Sequence, residues 1–166
     1  MNKTLLKLLA VMALIGFSTP AFAQGANDDG TATANIVTAM TLSAERDLAF
    51  GTVVAPSGDS CTVSLTAAET AVVGGDCSSS GTQTSAQFDV TGDASAEYTI
   101  TLPVGTINMT GAGDPIVVGS FAHSAGATPA LGAGGTATFY VGATATVNDG
   151  QAGGAYTGTF NVAVDY

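Results

Sequence analysis

The sequence predicts an all-β domain, an immunoglobulin-like β-sandwich of seven to eight short strands, either complete in itself or incomplete and completed by strand exchange. Three observations predict it. Apolar and polar residues alternate at both ends of the exported chain, the period-2 pattern of half-buried strands. The short apolar or β-branched runs between them are punctuated by Gly, Ser, Asn, Asp and Pro. Helix signals are nearly absent, and no internal repeat points to a solenoid or propeller.

Residues 1–23 read as a signal peptide. Lys3 and Lys7 supply a positive start, Leu5 to Phe17 an apolar stretch, and Ala21-Phe22-Ala23 a small-residue site for cleavage between Ala23 and Gln24. The apolar stretch is too short for a stable membrane span, and Gln24 stands where a lipoprotein needs cysteine. The mature chain is therefore expected to reach the periplasm, the cell surface or the medium without an integral membrane span. Residues 24–30 form a flexible acidic leader, and 31–166 a single sandwich domain.

Within that domain, 31–43 alternates with Ala32, Ala34, Ile36, Met40 and Leu42 on its apolar side. Further strands are expected at 48–54, 61–65, 86–91, 98–102, 116–121, 136–147 and 156–165. Asn148-Asp149-Gly150 is a turn signal, so 136–165 reads as a hairpin with a wide loop. The last segment places Tyr156, Gly158, Phe160, Val162, Val164 and Tyr166 on one face. The expected core draws on Phe50, Val63, Leu65, Phe88, Val90, Tyr98, Ile100, Leu102, Phe139, Val141, Phe160, Val162 and Val164.

The mature chain has 143 residues, 166 less 23, enough for one domain with a real core. Arg46 alone remains against 13 carboxylates, a net charge of about −12, which disfavours nucleic acid and anionic lipid surfaces. Cys61 and Cys77, in a chain bound for an oxidising compartment, are expected to form a structural disulfide.

Signals for catalysis are weak, and no enzyme activity, cofactor or metal is expected. His123, the only histidine, falls in an expected loop with no GxSxG elbow anywhere in the chain. Asp93 and Glu97 could approach across a turn, but the chain has no Trp to line a sugar cleft. Asn27-Asp28-Asp29-Gly30 lacks the alternating ligands of a calcium loop. Glu45-Arg46-Asp47 reads as a surface turn with a weak ion pair.

Three stretches carry a resemblance: Ala34-Asn35-Ile36-Val37 through Leu48-Ala49-Phe50-Gly51-Thr52-Val53; Phe88-Asp89-Val90-Thr91-Gly92 with Tyr98-Thr99-Ile100-Thr101-Leu102-Pro103; and Ala152-Gly153-Gly154-Ala155-Tyr156-Thr157-Gly158-Thr159-Phe160. Over nearly the whole mature chain they resemble an exported bacterial family known as domain of unknown function 4402. More loosely, Leu48-Ala49-Phe50-Gly51 and the spacing of Gly154, Tyr156, Val164 and Tyr166 are similar to spore coat protein U and archaic chaperone-usher pilins. This chain departs from those pilins in having Leu42-Ser43-Ala44 where they often carry a cysteine.

The pilin likeness implies an incomplete sandwich that self-assembles by donor-strand exchange into a fimbria, pilus or coat. A periplasmic chaperone and an outer-membrane usher would be its partners. It implies that 31–43 is the donor strand, its apolar side entering a neighbour's groove. Burying Ile36, Met40 and Leu42 at about 1.5–3 kcal/mol each would drive polymerisation by roughly 5–9 kcal/mol. It also implies that Phe160, Val162, Val164 and Tyr166 face the chaperone. Two other readings stand beside it: a monomeric periplasmic or secreted binding module whose 31–43 completes its own sheet, and a small outer-membrane β-barrel.

Overall fold

The computed structural model describes residues 25–55, 57–68, 71–75 and 77–166. The expected signal peptide and its cleavage point between Ala23 and Gln24 lie outside them. The described residues contain eleven strands and no helix. In chain order these are β1 (Thr41–Arg46), β2 (Thr52–Val54), β3 (Cys61–Leu65), β4 (Ala71–Gly74), β5 (Ser78–Ser80), β6 (Ala86–Thr91), β7 (Thr99–Thr101), β8 (Ile107–Met109), β9 (Ile116–His123), β10 (Thr136–Val147) and β11 (Ala163–Asp165). The fold is all-β and sandwich-like.

Strand β10 is the spine. Its residues 136–141 pair with β6 and its residues 143–147 with β3, while β9 pairs with 141–146. Val141 has partners in both β6 and β9, and Ala145 in both β3 and β9. Strands β6 and β3 therefore share one edge of β10 and β9 holds the other. Flanking pairs β1–β6, β4–β3 and β8–β9 complete a seven-stranded antiparallel sheet. Gly142 sits where β10 passes from β6 to β3. A Cβ there would overlap the backbone of Leu65, Thr66 and Ala67, so no larger residue fits the changeover.

Alternation along β10 makes the core. Phe139, Val141, Ala143, Ala145 and Val147 are buried in succession on one face, as period 2 requires. This row runs through two apolar clusters. One gathers Phe50, Val63, Leu65, Ile116 and Val118 around its C-terminal half. The other gathers Phe88, Val90, Tyr98 and Leu131 around Phe139, with Ile100, Leu102, Phe160, Val162 and Val164 packed against it. Every core residue expected from the sequence lies in or against one of these clusters. Two small sheets, β2–β5 and β7–β11, supplement the large one. Cys61 and Cys77 are disulfide-bonded, with Cα atoms 5.4 Å apart, and tie the start of β3 to the residue before β5.

Four expectations are corrected. The first strand begins at Thr41, where β6 offers a partner, and 31–40 joins no ladder. The segment 136–165 is not a hairpin, because β6, β3 and β9 occupy both edges of β10; the chain after Gly150 crosses to β7 and to Thr110 instead. His123 ends β9 rather than lying in a loop, with its ring edge-on to Phe139 at 6.4 Å. Arg46 ends β1 and is no surface turn; its Nε donates to the Ser85 carbonyl at 3.1 Å and its guanidinium lies 5.5 Å from the Tyr140 ring centroid.

Residues 25–35 do not belong to the one compact unit that 36–166 form. They are exposed and belong to no strand, and the Asp29 amide donates to the Asp28 carboxylate at 3.0 Å.

Candidate functional site

Two stretches of chain are each paired along one side only. The run 41–54 is matched by 78–91 throughout: β1 against β6, Ala49 against Thr84, and β2 against β5. The run 157–165 is matched by β7 at one end and by Thr110 at the other. Between Thr157 and Ala163, residues 158–162 make no backbone hydrogen bond to another strand among the described residues. Among the described residues the first run therefore presents a strand edge, and residues 158–162 a stretch of backbone, with N–H and C=O groups that have no ladder partner.

The first run faces the second, and residues 151–156 that lead into it, across a trench. Its wide part is a cavity of about 580 Å³ between 47–55 and 151–156, floored by Met109, Ile116, Ala145 and Val147. A narrower hollow of about 190 Å³ follows, between 44–48 and 158–160, reaching Ala86 and Phe88. The hollows share Asp47 and Leu48, and their second walls follow one another along the chain, so they are successive stretches of one furrow. Ile116, Ala145 and Val147 of the floor belong to the buried core and Met109 packs against it, and the walls are rich in Gly and Ala. Polar groups hold the second wall in shape: Gln151 Nε2 donates to the Tyr156 hydroxyl at 2.8 Å, and that hydroxyl donates to the Ala152 carbonyl at 2.8 Å.

The trench is shut at its other end by a small clasp. The Tyr166 hydroxyl donates to the Thr38 carbonyl at 2.8 Å and accepts from the Asp93 amide at 2.7 Å. The Asp93 carboxylate accepts from the Thr38 amide at 3.0 Å. Hydrogen bonds from the Thr38 side chain and backbone hold the Asp93 carboxyl below its ordinary pKa. Gly92 makes room, since a Cβ there would overlap the Tyr166 hydroxyl. The order of contacts, 38 beside 166, 44–48 beside 158–160, and 47–55 beside 151–156, shows that the two edges run antiparallel.

The expected donor residues are split by this arrangement. Met40 and Leu42 pack against the chain's own second cluster, Leu42 opposite Val90 in the β1–β6 ladder. Ala32, Ala34 and Ile36 lie ahead of the clasp, fully off any sheet, with Ile36 91% and Val37 51% exposed. The expected chaperone-facing residues are divided as well. Phe160, Val162 and Val164 turn onto the domain's own core, and Tyr166 makes the clasp. The trench walls 151–155 and the clasp residues Thr38 and Gly92 were not expected as a site. The signal for them is topological, since no single segment shows that its far edge lacks a partner.

Asp93 and Glu97, weighed as a carboxylate pair, have different partners among the described residues. Asp93 is engaged by Thr38, and Glu97 belongs to a separate bridge with Ala130. Among the described residues no group of three His, Cys, Asp or Glu side chains could hold a metal, and no helix is long and apolar enough to cross a membrane. The family described as Domain of unknown function (DUF4402) matches residues 40–166, from the last residue before β1 through both trench walls to the clasp tyrosine. Neither a curated protein nor a solved structure matches the chain.

Proposed function

The chain belongs to the family of Domain of unknown function DUF4402, and within it we propose that this protein is a non-enzymatic structural subunit that takes a strand from a second copy of itself into its trench. The observation that carries the reading is the pair of half-paired edges over an apolar floor. A strand laid between them would run parallel to one and antiparallel to the other and satisfy both rows of backbone groups, the mode of recognition known as β-augmentation. The same molecule carries an exposed segment outside every strand with the matching alternation, Ala32, Ala34 and Ile36. Each subunit thus offers what its neighbour lacks.

Only Ile36 among the three large apolar residues expected to drive exchange remains available, so side-chain burial contributes about 1.5–3 kcal/mol per junction. Ladder hydrogen bonds along both edges supply the rest. Repetition of one head-to-tail contact gives a fibre or coat on the surface of an exporting cell. Open edges over an apolar floor are an aggregation hazard before assembly, which is the task of a periplasmic chaperone, with an outer-membrane usher ordering the subunits. Such a chaperone would pair with the backbone of 158–162, because the side chains of Phe160 and Val162 already face the core.

The size of the wide cavity, about 580 Å³, also suits a small apolar ligand and favours the second reading, a monomeric binding module. Protein sheared from cells and run on a denaturing gel without heating separates the two. A ladder that collapses to monomer on boiling supports strand exchange. A monomer band in both lanes overturns it in favour of the binding module.

A further inference from the structure

Resting on the exchange reading, we infer that the clasp of Thr38, Asp93 and Tyr166 is a positioning site that commits the free segment to a second copy by barring it from its own trench. The difficulty it resolves is kinetic and thermodynamic. A segment tethered by a short flexible link sees its own groove at an effective concentration in the millimolar range. A second copy at micromolar concentration would lose that competition. Assembly therefore requires a structural reason why the tethered segment cannot close on itself.

The geometry of the root supplies one. Both backbone groups of Thr38 are engaged, the carbonyl by Tyr166 and the amide by Asp93, so the chain is pinned there. The pin lies where the two edges come together, and the trench opens only at Ala44 and beyond. Ile36 stands two residues before the pin and can swing no further than about 7 Å from it. Strand β1 alone spans five steps, about 16 Å, before the wall of the wide cavity begins at Asp47. A hairpin back onto β1 would set Ile36 against the shut end, and its turn would need the Thr38 groups that the clasp holds. Gly92 fits this purpose, since any side chain there would push Tyr166 off Thr38.

The test lengthens the tether. Ten Gly/Ser residues inserted between Val37 and Thr38 give Ile36 the reach to fold back, whereas the same ten inserted between Gly30 and Thr31 lengthen the leader without changing that reach. The first variant is expected to run as a monomer whose amides at 158–162 are protected from hydrogen exchange and which refuses a synthetic peptide of residues 31–37. The second is expected to form the same ladder as the wild type. Equal polymerisation by both variants would overturn the inference while leaving exchange intact. Failure of the wild type to polymerise, together with failure of an Ile36→Asp monomer to take up the peptide, would overturn the exchange reading and this inference with it.

Discussion

Ile36→Asp and Leu42→Asp test the division of labour at the clasp, because the two residues sit only six positions apart yet on opposite sides of it. In the isolated domain Ile36 is 91% exposed, so its replacement should change stability by no more than about 0.5 kcal/mol. At a junction the same change removes about 1.5–3 kcal/mol of apolar burial. It also places a carboxylate against the floor of a trench whose rim already carries Asp47, a further cost of at least about 2 kcal/mol. Together these weaken each contact by roughly 3–5 kcal/mol, about 10²- to 10³-fold or more. Leu42 packs on the second cluster in line with Val90, and a carboxylate there should destabilise the domain itself by about 3 kcal/mol or more. Size-exclusion chromatography reads assembly and thermal unfolding reads the fold. Ile36→Asp is expected to give a monomer with unchanged melting, and Leu42→Asp a domain that melts early. Polymer undiminished by Ile36→Asp, or a clear loss of melting temperature in it, would refute the reasoning.

Three further outcomes are expected. Cys61→Ser opens a loop closed across 16 positions and should cost about 3 kcal/mol, seen as a lower urea midpoint with the folded far-UV spectrum retained. Tyr166→Phe deletes two hydrogen bonds at a partly exposed site, about 1–2 kcal/mol in all, and should speed hydrogen exchange of the Asp93 amide more than that of Val63 in the core. Asp93 has its folded-state pKa lowered by Thr38, so its contribution is present above the ordinary carboxylate value of 3.8 and is lost as pH falls through the lowered value. Protection of the Thr38 amide, taken relative to the intrinsic exchange rate at each pH, should therefore fall on acidification below that range, and Asp93→Asn should flatten the dependence.

The sequence made the sheet legible wherever a strand buries one face. Cys61–Leu65, Ala86–Thr91 and Thr136–Val147 coincide with β3, β6 and β10, since alternation there reports real burial of every second residue. Strands β4, β5 and β8 escaped because they are short or serine-rich and owe their existence to a neighbour rather than to a pattern. The C-terminal run is the instructive case. Tyr156, Phe160, Val162 and Val164 are half-buried as their alternation required, yet only Ala163–Asp165 is a strand. Period 2 tells which side chains face the core and is silent on whether the backbone has a partner. The same limit hid the trench, and it merged Ile36 with Leu42 in one expected donor strand, for nothing in 31–43 marks Thr38 as the point where the chain is caught.

The position of β10 bears on when the molecule can fold. Its partners β6 and β3 precede it by some fifty and eighty residues, and only β9, with Val141 opposite His123, comes from nearby in the chain. Until residues 136–147 have left the ribosome, the strands before them lack the member that joins the two clusters. Contacts so far apart in sequence form slowly, after a large entropic cost of closing long loops. The junction of the two clusters is thereby kept from setting before residues 136–147 are made.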